Sequence, residues 1–152
     1  MDEEVRKKLL AEQLQILDAA CAVLMDSRNR VRRIFKKKTQ KLSVQEKESC
    51  EALTARFARL CDFLFQRVFR TLDRIELQDE GTGIDRLNRM EKRGIISSSE
   101  KWKVLRELRN DIAHEYLIEK SDQVLKDCFQ HTPELLETAE NFKAYVGVKR
   151  YV

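Results

Sequence analysis

Residues 53–75 read LTARFARLCDFLFQRVFRTLDRI, and apolar side chains recur in this stretch at every third or fourth position. That spacing is typical of the buried face of an α-helix. The residues on this face are Leu53, Phe57, Leu60, Leu64, Val68, Leu72 and Ile75. Phe63, Phe65 and Phe69 widen the face, which indicates a central helix or one that also meets a second molecule. The stretch therefore predicts a long helix around which others pack.

The same periodicity predicts further helices on both sides. A first helix is expected from about Asp2 into the low thirties, because an apolar seam runs along it. The residues of this seam are Leu10, Leu14, Leu17, Cys21 and Leu24. The central helix should begin at the capping box Ser43-Val44-Gln45-Glu46 and end near Gln78. Downstream, a short helix is predicted from Thr82 to Gly94, and a second capping box at Ser97–Glu100 is predicted to open the next helix. A further helical segment should start at Ser121-Asp122. It should be interrupted at Thr132-Pro133, where a last helix begins that ends near Gly147.

Composition supports one helical domain over residues 1–152. The chain is long enough to bury its own core. Its 4 glycines and 1 proline provide few helix-breaking positions, so the helices should be long. No stretch approaches the roughly 18 apolar residues of a membrane span, and the acidic N-terminus Met1-Asp2-Glu3-Glu4 lacks the apolar region of a signal peptide. We therefore expect an all-α, up-and-down bundle of about five helices, located in the cytoplasm and without membrane contact.

The cysteines give no metal-binding pattern. Cys21, Cys50, Cys61 and Cys128 form no C-x-x-C pair, and only His114 and His131 could join them as ligands. Scattered cysteines in a reducing compartment are usually small buried hydrophobic residues. We expect no metal site and no cofactor.

A basic segment, Arg28–Lys41, holds eight cations and no acidic residue, whereas the remainder of this +4 chain would carry −4. Such a patch can collect an anionic polymer or an acidic partner, or it can simply be a solvated helix end. The candidate RNA-binding residues are Arg28, Arg30, Arg32, Arg33, Lys36, Lys37 and Lys38. Phe35 is the one aromatic residue among them, so we expect contacts to phosphates rather than sequence-specific base stacking.

The string LRNDIAHEY, residues 108–116, combines polar residues that a plain bundle helix does not need. Arg109 falls on the apolar face with Leu105 and Ile112, and a cation there requires an anion or a partner. His114 can exchange protons near neutral pH, as histidines do, but it lies about 140° around a regular helix from Arg109. The two can act together only if the helix is distorted or if two copies face each other.

The pattern Arg109-Asn110-x-x-x-His114-x-Tyr116 resembles the R-x4-H-x-Y signature of HEPN-domain proteins, specifically the HepT-like toxins paired with minimal nucleotidyltransferases. The resemblance extends over most of the chain from about residue 50 onward. It implies an all-α bundle that forms a homodimer, with the two motifs facing one cleft.

The resemblance also implies an activity. Active members are metal-independent ribonucleases, so His114 would move a proton, Arg109 would stabilise charge on the phosphorane-like transition state, and Asn110 would orient the phosphate or the histidine. Tyr116 matches the tyrosine to which the partner nucleotidyltransferase, acting as antitoxin, attaches AMP. Two other interpretations stay open: a non-catalytic substrate-binding or scaffold subunit of a minimal nucleotidyltransferase, and a helical adaptor in which the motif occurs by chance.

Overall fold

The computed structural model describes residues 2–37, 41–114 and 118–152, and of residues 118–121 it describes the backbone only. All regular structure in this part of the chain is helical. The elements are α1 (Glu3–Phe35), α2 (Val44–Asp62), a π-helical segment (Phe63–Val68), α3 (Phe69–Ile75), α4 (Gly83–Lys92), α5 (Ser99–Ala113) and α6 (Ile118–Val148). Because α2, the π-helical segment and α3 follow one another without a break, they form one long helix, and the described residues form five helices in all. The prediction of an all-α bundle is confirmed.

The predicted apolar face of the central helix is buried at all seven positions from Leu53 to Ile75. Phe65 and Phe69 are buried as well, and the ring of Phe69 lies 5.2 Å from that of Trp102. The width of this face thus comes from a central position in the bundle, between α1, α5 and α6. Only Phe63 of the three widening phenylalanines stays partly exposed.

The long helices run up and down. Arg56 donates to the carbonyl of Val23, and Arg6 donates to the carbonyl of Arg74, so α1 is antiparallel to the helix that starts with α2. Lys143 pairs with Asp18, so α6 also packs against α1. None of the described helices combines the length and the apolarity needed to cross a membrane.

Two of the predicted helix starts are confirmed and a third is shifted. Ser43 with Glu46, and Thr82 with Asp85, form reciprocal capping boxes. The expected box at Ser97–Glu100 is wrong, because Ser98 is the cap of α5 and accepts from the backbone N–H of Lys101. A long-range contact accompanies this shift, since the N–H of Ser99 donates to Glu91 of α4.

The helix predicted to start at Ser121-Asp122 begins at Ile118 instead. The predicted reset at Thr132-Pro133 is wrong, since α6 continues to Val148 with Pro133 inside it. Proline has no N–H, so the carbonyl of Phe129, four residues earlier, loses its partner within the helix. Nε of Arg28 in α1 donates to this carbonyl at 2.8 Å. A side chain about a hundred residues away therefore helps to satisfy the backbone where the local sequence indicates a break.

The π-helical segment was not predicted either. In it the N–H of Phe69 donates to the carbonyl of Leu64, five residues back instead of four. A π turn holds one residue more than an α turn, and such turns occur frequently at functional sites. This one directly follows Asp62 and contains Phe63, Gln66 and Arg67, which line the cleft described below.

A charged network ties α3 to α4 and to the end of the chain. Asp73 is fully buried and accepts from Arg89 at 2.8 Å and from Arg93 at 2.6 Å. Glu76, one turn further on, accepts from the phenols of Tyr145 and Tyr151. Buried carboxylates need such partners, because an unpaired charge in the core is expensive.

Candidate functional site

An open cleft of about 500 Å³ lies between α5 and the junction of α2 with the π-helical segment. Its lining residues are Arg59, Asp62, Phe63, Gln66, Arg67, Arg106, Arg109 and Asn110. Among the described lining residues, four guanidinium groups therefore face one carboxylate, which leaves an excess of three positive charges. A concave surface with this balance is suited to an anion that carries several charges.

Arg109 is held by Asp62 in a two-pronged ion pair. Nε donates to Oδ1 at 2.7 Å and Nη2 donates to Oδ2 at 2.9 Å. The hydrogen bond and the charge of Asp62 raise the pKa of Arg109 above its ordinary value. Asp62 is thus the anion that the position of Arg109 on the apolar face requires, and it comes from the same chain.

The guanidinium of Arg109 keeps capacity for a ligand. A guanidinium has five N–H donors, and Asp62 occupies two of them while Oδ1 of Asn110 takes a long contact from Nη1 at 3.4 Å. The side chain is about one-third exposed, at 33%. The structure therefore brings together Arg109 and Asn110 of the motif in one cleft, with donors left over for a phosphate oxygen.

His114 lies apart from them. It is the first residue after α5, its side chain is exposed, and it does not line the cleft. Because α5 stays regular through Ala113, helix distortion does not bring His114 towards Arg109. Of the two conditions for joint action, the facing of two copies is the one that remains as a prediction. Tyr116 and Lys38 lie outside the described residues.

Arg106 is a cleft residue that the sequence analysis missed. Its guanidinium carbon lies 3.6 Å from the centre of the Phe65 ring, a cation–π contact. Gly83 at the start of α4 leaves room for this arrangement, because a Cβ there would come within 3.0 Å of Cζ of Phe65 and 3.3 Å of Nη1 of Arg106. The available signal was the spacing of Arg106 one turn before Arg109.

Arg59 and Arg67 were missed for a different reason. They flank Asp62 and line the cleft with exposed side chains. In the sequence they look like ordinary solvent-facing positions of an amphipathic helix. Only the packing of α5 against α2 makes them part of the same surface as Arg109.

Several cations of the basic segment are already engaged. Arg28 bonds to the carbonyl of Phe129 and stacks on its ring at 4.2 Å, Arg30 pairs with Asp26, and Lys37 pairs with Glu46 at 2.7 Å. Arg32 donates to the side chain of Asn29 at 2.9 Å. The two other described candidates, Arg33 and Lys36, are exposed. Arg28 therefore serves helix packing between α1 and α6, whereas the contacts of Arg30, Arg32 and Lys37 lie at the surface.

A second open cleft, of about 570 Å³, lies over the network of Asp73 and Glu76. Arg89 and Arg93 line it, but both bond to Asp73, and Arg93 also pairs with Glu76 at 2.6 Å. The guanidinium groups of Arg89 and Arg93 are therefore already paired with carboxylates of the same chain.

The thiols and carboxylates show no metal cluster. Within the described ranges no three His, Cys, Asp or Glu side chains come together in a way that could hold an ion. Cys61 and Cys128 are buried, and burial raises the pKa of the Cys61 thiol to about 12 and that of Cys21 to about 11. The thiols of Cys61 and Cys21 are therefore poor nucleophiles at neutral pH.

Comparison with protein-family models gives no match for this chain, and comparison with curated protein sequences gives none either.

Proposed function

We propose that this chain is a HEPN-like, metal-independent endoribonuclease that acts as the toxin of a toxin–antitoxin pair. The observation that supports this proposal most is the cleft, in which Arg109 and Asn110 of the motif lie with Arg59, Arg67 and Arg106 around the carboxylate of Asp62. Phosphate recognition depends on cations that present several N–H groups in fixed geometry, and arginine does this best.

The proposed reaction is an internal transesterification of RNA. The ribose 2′-oxygen attacks the neighbouring phosphorus and gives up its proton, and the bond from phosphorus to the 5′-oxygen breaks as that oxygen gains a proton. The products are a 2′,3′-cyclic phosphate and a 5′-hydroxyl. His114 handles one of these two protons, Arg109 offsets the negative charge on the transition state, and Asn110 orients the phosphate.

The proposal requires a homodimer. His114 is exposed at the end of α5 and outside the cleft of its own chain, so His114 of a second copy would have to complete the site. Sedimentation of the purified protein should therefore give a dimer. A monomer at tens of micromolar would contradict the shared site, independently of any activity measurement.

The proposed antitoxin is a minimal nucleotidyltransferase that adds AMP to Tyr116. Tyr116 follows His114 by two residues, so AMP there would bring bulk and negative charge close to the motif and compete with RNA phosphate. The site of action would be the cytoplasm, where the RNA is.

Expression of the wild type, His114→Ala and His131→Ala from a tight inducible promoter tests the activity. His131 is the matched control because it is the other histidine of the chain and lies in α6, away from the cleft. The wild type and His131→Ala should arrest growth and leave RNA ends with 2′,3′-cyclic phosphate, and His114→Ala should do neither. Intact RNA with the wild type would contradict the ribonuclease.

The second candidate is a non-catalytic binding subunit of the nucleotidyltransferase. The placement of His114 outside the cleft and the pairing of Arg109 with Asp62 favour it. In that case the wild type should be harmless, RNA should stay intact, and Arg109→Ala should release the nucleotidyltransferase from a purified complex.

A further inference from the structure

Arg106 differs from Arg109 in having no acidic partner among the residues that the structure describes. Arg109 shares its charge with Asp62 at 2.7 Å. No described carboxylate lies within ion-pair distance of Arg106, and the contact that holds it is the face of the Phe65 ring. A ring face attracts the cation without neutralising it, so the full positive charge of Arg106 is available to a ligand.

The position of Arg106 is fixed before any ligand arrives. Phe65 is itself buried in the π-helical segment, and Gly83 lets the ring and the guanidinium approach each other closely. A long side chain that is ordered in advance loses less entropy when a ligand binds. This is the arrangement expected of a binding residue rather than of a solvated surface arginine.

Arg106 and Arg109 face the same cleft from neighbouring turns of α5. Side chains three residues apart on a helix have Cβ atoms about 5–6 Å from each other. The two cations can therefore contact different phosphates of one chain. Phe63, which is partly exposed in the same cleft, offers a ring on which a base can stack.

We propose that Arg106, held on Phe65, binds the RNA phosphate next to the one that meets Arg109. The combination of planar cations with an exposed aromatic ring favours a single-stranded polynucleotide over an acidic protein segment, which has no bases to stack. The proposal rests on the proposed function only for the identity of the ligand as RNA.

Binding of a short oligouridylate to protein carrying His114→Ala tests this proposal, since cleavage is then excluded from the measurement. Adding Arg106→Gln should weaken binding about tenfold, the effect of losing one charged hydrogen bond. It should also reduce the slope of log affinity against log salt by about 0.7, the value for one phosphate of a single strand. Arg106→Lys keeps the charge and should lose only part of the affinity.

Lys101→Gln is the matched control, because it removes the same charge from an exposed position of α5 outside the cleft. It should leave affinity and salt slope unchanged. Gly83→Ala, which crowds Phe65 and Arg106 without changing any charge, should weaken binding in the same direction as Arg106→Gln. If Arg106→Gln does not fold, Arg106→Lys and Gly83→Ala decide the question.

The two proposals can fail separately. The role of Arg106 would be overturned if folded Arg106→Gln bound the oligouridylate with wild-type affinity and wild-type salt slope. If Arg106→Gln does not fold, wild-type affinity with both Arg106→Lys and Gly83→Ala would overturn it. Either result would hold whether or not the wild type cuts RNA. Arg106-dependent binding by a protein that never cuts RNA would overturn the ribonuclease and leave the role of Arg106 standing. Binding of polyglutamate in place of oligouridylate, with the same dependence on Arg106, would overturn the assignment to RNA.

Discussion

At the scale of single residues, side chains that look alike in the sequence have different tasks in the fold. Arg28 satisfies the carbonyl that Pro133 leaves without a helical partner, whereas Arg30 pairs with Asp26 at the surface. Both belong to the basic segment and both were predicted to bind RNA. The difference arises because Arg28 faces α6, and burial beside Phe129 lowers the pKa of Arg28 without removing its charge.

The link between Arg28 and Pro133 can be tested with a double-mutant cycle. Arg28→Ala should lower the free energy of unfolding by about 1 kcal/mol, because a carbonyl loses its donor. Pro133→Ala supplies an N–H to the same carbonyl, so Arg28→Ala should then cost about 0.5 kcal/mol less. Urea unfolding measures all four proteins, with Arg30→Ala as the exposed control. An equal cost in both backgrounds would contradict the shared carbonyl.

Asp62→Asn should change RNA binding and RNA cleavage in opposite directions. Asp62 is the carboxylate among the described lining residues, so its removal raises the positive charge of the cleft, and the oligouridylate should bind more tightly to protein carrying His114→Ala. Cleavage by the otherwise wild-type chain should fall about tenfold or more, because Arg109 loses the pair that fixes its geometry. Single-turnover cleavage and equilibrium binding measure the two effects. Faster cleavage by Asp62→Asn would mean that Asp62 inhibits rather than positions Arg109.

At the scale of elements, the π-helical segment is where the central helix departs from its pattern. Leu64 and Val68 keep the apolar face buried across it, while Gln66 and Arg67 point to the cleft side and are exposed. The extra residue of the π turn lets both requirements be met within one helix.

Deletion of Gln66 should convert this segment to an α-helix and leave the rest of the apolar face in register. We expect a folded protein whose thermal midpoint shifts by a few degrees, at about 2–4 °C per kcal/mol for this size, and whose affinity for oligouridylate falls. Deletion of Ala55, an exposed residue of regular α2, is the control. It rotates the downstream face by about 100° and should unfold the chain. Equal loss of structure in both deletions would contradict the π-turn explanation.

At the scale of the whole molecule, the carboxylates of Asp73 in α3 and of Glu76 directly after it join parts that are far apart in sequence. Asp73 holds α4 through Arg89 and Arg93, and Glu76 holds the end of the chain through Tyr151. The residues after α6 are thereby fastened to the body of the bundle.

The Tyr151 contact predicts a loss of stability at alkaline pH. Burial, and then the hydrogen bond to Glu76, raise the pKa of Tyr151 to about 12, whereas an unfolded tyrosine ionises near a pKa of about 10. The folded chain holds the proton that the unfolded chain loses, so this stability is present below about pH 10 and is lost as the pH rises to about 12. Tyr151→Phe should therefore reduce the fall in the free energy of unfolding between these pH values. Urea unfolding across this range measures that free energy, and tyrosinate absorbance measures the ionisation. The same fall in Tyr151→Phe as in the wild type would contradict the role of Tyr151.

The local pattern was sufficient for some features and not for others. Helix periodicity predicted the buried face from Leu53 to Ile75, and the caps at Ser43 and Thr82 were readable because their partners lie three residues away. The continuous α6 was not readable, because the donor for the carbonyl freed by Pro133 comes from Arg28 in another helix. Local rules indicate where a backbone lacks a partner, but not whether a distant side chain supplies one.

The sequence by itself determined a helical bundle, the buried face of its central helix, and the need of Arg109 for an anion. These follow from spacing along one helix and from the cost of burying a charge. Only the tertiary structure decided that the anion is Asp62, that Arg59, Arg67 and Arg106 share the cleft, and that His114 lies outside it. Such neighbours depend on which faces of two helices pack together. The apolar periodicity of one helix shows which of its faces is buried, but not which other helix packs against that face.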